Sequence, residues 1–144
     1  MKIQENDLFH GAVLTQIAQY NESVRISKIN DKIGCYLIDN ESLILIKYRT
    51  PNMAPWSFRL SEADRYMLMT LDEETRFFLV LVCGGVTICV LDKEEINELV
   101  DVSLEEDCSI SVNLTYRTSM WVRGTHGELR HSIRHSDFPK KIFE

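Results

Sequence analysis

From Asn6 to about Tyr20, apolar residues recur every three or four positions, so that Leu8, Phe9, Ala12, Val13, Ile17 and Ala18 share one side of a helix. Asn6 or Asp7 is available to cap it. After Asn21 the period shortens to two, and residues 24–29 alternate apolar with polar, as a half-buried strand does. Asn30-Asp31-Lys32 reads as a turn. Residues 33–38 and 42–49 then form two strands of an antiparallel hairpin around Asp39-Asn40-Glu41. Two of the three prolines, Pro51 and Pro55, make residues 50–55 a loop ahead of a short strand at 56–60. Ser61, with Asp64 three positions on, opens a second helix whose stripe is Ala63, Met67, Leu68 and Leu71, ending near Glu74. Residues 77–83 and 86–91 are continuous apolar runs joined at Gly84-Gly85, which predicts a tight hairpin at the centre of the sheet. Asp92 caps a third helix reaching about Val100, with Ile96, Leu99 and Val100 inward. Short strands are expected at 109–113, 119–123 and 129–133, around Gly124 and Gly127. Helices interleaved with hairpins point to the α/β or α+β class: a mixed central β-sheet flanked by helices, with a C-terminal run of short antiparallel strands.

A chain of 144 residues with 44% hydrophobic content has room for one core, so residues 1–144 are read as a single domain. The longest apolar run, residues 77–83, is about a third of the ~20 residues a bilayer span needs. The opening MKIQENDLFH lacks the apolar segment of a signal peptide, and the expected location is cytoplasmic, away from the membrane. Cys35, Cys83, Cys89 and Cys108 fall within predicted strands without C-x-x-C spacing, which fits buried thiols rather than disulfides.

The formal net charge is −6, but its distribution is uneven. Residues 1–115 hold 10 basic and 19 acidic side chains, whereas residues 116–144 hold six and three. Arg117, Arg123, Arg130, Arg134, Lys140 and Lys141 make up this basic end, with His126, His131 and His135 interspersed and Tyr116 and Trp121 nearby. Such a patch contacts phosphates or an acidic partner, or else pairs with the acidic body. Acidic runs at Asp72-Glu73-Glu74, around Glu94-Glu95 and at Glu105-Glu106-Asp107 coincide with helix boundaries and turns, where carboxylates cap or face water. A second basic and aromatic group is Lys47, Arg49 and Arg59 with Tyr48 and Trp56, cations and ring faces of the kind that take phosphates and stacked bases.

An opening helix, a three-stranded meander, a crossover helix and buried strands, over roughly residues 6–91, resemble the core of the PD-(D/E)xK restriction-endonuclease-like superfamily. In that family a carboxylate near the end of the second core strand and a Glu-x-Lys on the third hold a divalent metal, and the lysine helps position the attacking water. The matching positions are Asp39 and Leu45-Ile46-Lys47. Leu45 stands where the family carries Glu, and an aliphatic side chain cannot ligate Mg²⁺. A three-residue turn pairing Asp39 with Leu43 and Cys35 with Lys47 would leave Asp39 and Lys47 about 13 Å apart along the ladder. Glu41, Gln16 and His10 are the candidates for a displaced ligand.

Other signatures are incomplete. His131 and His135 have zinc-like spacing, but Cys83 and Cys89 do not. Gly84-Gly85 lacks the Lys-Ser/Thr of a phosphate loop, and no G-x-S-x-G frames a nucleophile. The reading is therefore a catalytically silent nuclease-like domain, without catalytic residues, metal ligands or cofactor. It would contact nucleic acid through Lys47, Arg49, Trp56, Arg59, Arg117, Arg123 and Arg130. The alternative is an assembly module, a homodimer formed without nucleic acid through Met53, Trp56, Met67, Met69, Met120 or Trp121.

Overall fold

The computed structural model describes residues 1–29, 32–115 and 119–144. Helix α1 (Glu5–Tyr20) opens on a capping box in which the Asp7 carboxylate accepts the Gln4 N–H, and it buries Val13 and Ile17. Strands β1 (Ile26–Lys28), β2 (Cys35–Ile38) and β3 (Ser42–Arg49) follow as an antiparallel meander. At the β2–β3 turn Asp39 and Asn40 adopt φ of 53° and 56°, a left-handed conformation that short polar side chains tolerate. Strand β3 runs parallel to β5 (Arg76–Cys83), which pairs antiparallel with β6 (Thr87–Asp92). The first sheet thus has the order β1-β2-β3-β5-β6 and is mixed, as the sequence predicts.

The remaining strands do not extend that sheet. β4 (Trp56–Leu60), β7 (Cys108–Thr115), β8 (Ser119–Gly124) and β10 (Ile133–Arg134) form a second, antiparallel sheet in the order β10-β8-β7-β4, with β9 (Gly127–Glu128) on β8. Helix α2 (Glu62–Met69) returns the chain from β4 to β5, and α3 (Lys93–Leu99) leads from β6 to the second sheet. α2 stops before the expected Glu74, where the Thr70 hydroxyl donates to the Tyr66 carbonyl at 2.9 Å and closes the last turn.

Two cores result. One packs Leu45, Leu79, Leu81 and Leu91 of the first sheet against Trp56, Phe58, Ile110, Val112 and Val122 of the second. The other packs Ile44, Ile46, Val80 and Val90 against Val13 and Ile17 of α1 and against Phe138 and Ile142 of the C-terminal segment. Burial on both faces explains why the β5 and β6 sequences are apolar without alternation. β6 is nevertheless an edge strand rather than a central one. Helical turns at α4 (Asp137–Lys140) and Lys141–Phe143 cover it, and Glu95 pins this segment by accepting from Lys141, with His131 Nε2 at 2.8 Å.

Residues 129–132 carry the chain between β9 and β10 instead of forming the expected single strand. All four cysteines are buried free thiols, and burial pushes Cys83 up to about 12. No helix among the described residues is long and apolar enough to cross a membrane.

Candidate nucleic-acid interface

Lys47 lies on the odd-numbered side of β3 and reaches α2, where its Nζ is 2.6 Å from Asp64 Oδ2. Lys32 Nζ occupies the other oxygen at 2.8 Å, and the Ser61 backbone N–H also donates to Asp64 as part of the helix cap. The Asp64 residue is 3% exposed. Burial would raise its carboxyl, but Lys32, Lys47 and the Ser61 N–H outweigh it and hold the group at about 2. Two lysines around one carboxylate leave one excess positive charge, which Glu5 offsets in the adjoining cleft of about 500 Å³ lined by Lys47, His10, Gln4, Glu5 and Tyr48. His10 is buried edge-on to Tyr36 and Tyr48, and burial lowers its pKa against the opposing pull of Asp7.

The family pattern is not reassembled there. Cys35 pairs with Leu45, two residues away from the register of the assumed turn, so Asp39 lies roughly 20 Å along the ladder from Lys47. The Asp39 carboxylate instead accepts the Arg25 N–H at 2.8 Å. Glu41 is exposed in the β2–β3 turn, and Gln16 lines a different cleft beside Gly84 and Gly85. Among the described residues, no group of three or more His, Cys, Asp or Glu side chains is placed to hold a metal ion.

The basic and aromatic group expected around Lys47 is also divided. Tyr48 points to the α1 side, stacked on Phe9 at 4.6 Å with its hydroxyl donating to Glu5. Trp56 is 1% exposed in the core between the sheets, its indole N–H on the Pro51 carbonyl at 2.7 Å, so it is not a surface ring. Arg49 is exposed at the end of β3 and Arg130 in the β9–β10 connection. Arg117 lies outside the described residues.

Arg59 and Arg123 do share a surface, the outer face of the second sheet. Alternation along β4, β7 and β8 sends Trp56, Phe58, Ile110, Val112, Met120 and Val122 inward and their neighbours outward. The registers set these outward residues in rows: Asn113 beside Trp121, then Ser57, Ser111, Arg123 and Glu128, then Arg59 beside Ser109. Trp121 is 43% exposed, and with Pro55, Asn113, Arg123 and Leu129 it lines a groove of about 290 Å³.

Arg59 pairs with Asp107 at 3.0 Å and Arg123 with Glu128 at 3.6 Å, all four side chains being at least 70% exposed. Ion pairs this open to water contribute little and exchange readily for another anion. The sequence sets Trp121 near the basic end and among the assembly residues but not among the nucleic-acid contacts, and does not single out Ser111 or Asn113, although Met120-Trp121-Val122-Arg123 already carries the signal. Strict alternation there puts the ring and the cation on one face. Of the residues proposed for an assembly interface, Trp56 and Met120 belong to the core and Met67 packs against it, whereas Met53, Met69 and Trp121 are exposed.

Comparison with family models, curated proteins and solved structures finds no match to this chain.

Proposed function

We propose that this chain is a catalytically silent, nuclease-like domain that contacts nucleic acid through the outer face of its second sheet. The observation that carries the reading is Trp121, a large exposed ring one row from Arg123 on an otherwise polar sheet face. Exposed aromatic rings beside exchangeable cations suit bases and phosphates together. Trp121 and Arg123 of this face belong to residues 116–144, where the charge turns positive.

The nuclease-like part of the reading is supported by the meander of β1, β2 and β3, followed through α2 by a strand parallel to β3. The silent part is supported by Leu45 at the position of the family's metal-binding Glu, and by Lys47 being engaged by Asp64. A homodimer using Trp121 is the competing reading, and salt separates the two because phosphate contacts weaken steeply with ionic strength while apolar ones do not.

Fluorescence anisotropy of labelled DNA and RNA, with and without Mg²⁺, between roughly 50 and 200 mM salt tests the proposal. The expected result is salt-sensitive binding without cleavage, lost on combining Trp121→Ala with Arg123→Glu. Absence of binding to every strand would refute the reading, and metal-dependent cleavage would refute its silent part.

A further inference from the structure

Resting on that reading, we infer that the outer face of the second sheet takes a single strand, DNA or RNA, with an unpaired base stacked on Trp121 and successive phosphates to one side of it on Arg123 and Arg59. Shape argues first. Four strands about 4.8 Å apart make a face roughly 14 Å wide, broader than the ~12 Å major groove that admits a helix or a two-stranded ribbon. In a duplex the flat faces of the bases are covered by their stacked neighbours, so the Trp121 ring would meet only edges and backbone. A single strand can splay a base onto it.

Charge argues the same way. Arg59 and Arg123 lie two rows and one row from the Asn113–Trp121 pair, a span of about 13 Å along the strands. Over that length a duplex presents about eight phosphate charges, one per ~1.7 Å, and a single strand about half as many. The face supplies few cations, two of them shared with Asp107 and Glu128, on a chain of net charge −6. It matches the lower charge density.

The polar groups beside Trp121 and Arg123 complete the fit. Asn113 commits its side-chain oxygen to the Leu114 N–H at 2.9 Å, which leaves its NH₂ as a donor. With the Ser57 and Ser111 hydroxyls in the next row, this borders Trp121 on one side with short side chains able to donate to the acceptors of an unpaired base. None of these groups is large enough to block a ring from lying on the indole.

The test is a titration of the intact protein with fluorophore-labelled single-stranded oligothymidylate, single-stranded oligouridylate and a blunt duplex of the same length, read by anisotropy for every variant and, for the wild type, also by tryptophan fluorescence. Trp56 is enclosed and serves as an internal reference, so quenching reports Trp121. The expected result is at least tenfold tighter binding of one or both single strands than of the duplex. Trp121→Ala should lose tenfold or more, Trp121→Phe should stay within about threefold, and Arg123→Ala should reduce the slope of log affinity against log salt by about 0.7. The two single-stranded arms tell DNA from RNA. Equal or tighter duplex binding, or wild-type single-strand affinity in Trp121→Ala, overturns the single-strand assignment and leaves nucleic-acid contact standing. Failure of all three probes to bind overturns both.

Discussion

Asp64 does three jobs with one carboxylate: it completes the cap of α2, and it pairs with both Lys32 and Lys47 where neither ammonium is fully hydrated. Removing one partner of a buried ion pair leaves the other charge unpaired, so Asp64→Ala should cost about 3 to 5 kcal/mol in urea unfolding. Arg59→Ala, which breaks only an exposed pair, should stay within about 0.5 kcal/mol. Because the Asp64 carboxyl is held at about 2 in the fold against an ordinary 3.8, its contribution is present above about pH 4 and fades as the pH falls towards 2. Acid unfolding monitored by circular dichroism should therefore show less of this pH dependence in Asp64→Asn. The cap was legible from Ser61-x-x-Asp64, but the two lysines were not, since they arrive from residues 32 and 47 through tertiary packing. Parity was legible and decides more. It separates Tyr48 from Lys47 and Arg49, and Trp56 from Arg59, yet it puts Trp121 with Arg123.

At the level of elements, periodicity located α1, β4 and α3 to within a residue or two, because each has one consistently buried stripe or face, and the apolar run of β3, buried on both faces, ended where its turn residues begin. It did not reveal which sheet β4 joins. The choice depends on the match of Trp56, Phe58 and Leu60 to Ile110 and Val112, which are far away in sequence. It also left β6 looking central, because an edge strand covered on both faces and along its edge reads the same as an interior one. The cover is the segment containing Phe138 and Ile142. Phe138→Ala should destabilise the protein by about 3 kcal/mol. Its amide hydrogen exchange should rise most along Thr87–Asp92; a rise spread evenly over both sheets would contradict the role given to this segment.

Over the whole molecule, the two sheets separate Lys47 from Arg59, which the sequence grouped together. The lysine of the nuclease-like pattern is tied down by Asp64, and the exposed ring and arginines stand on the outer face of the other sheet. The charge asymmetry between the chain's two parts anticipated that face only in outline, since composition does not say which side of a strand a residue occupies. Backbone and indole N–H shifts of the ¹⁵N-labelled protein, followed while single-stranded oligonucleotide is added, report on both places at once. The account predicts changes concentrated at Ser57, Ser111, Asn113, Arg123 and the Trp121 indole, with the Trp56 indole and the residues around Lys47 unmoved. Changes gathered around Lys32, Lys47 and His10, or none at saturating oligonucleotide, would contradict it.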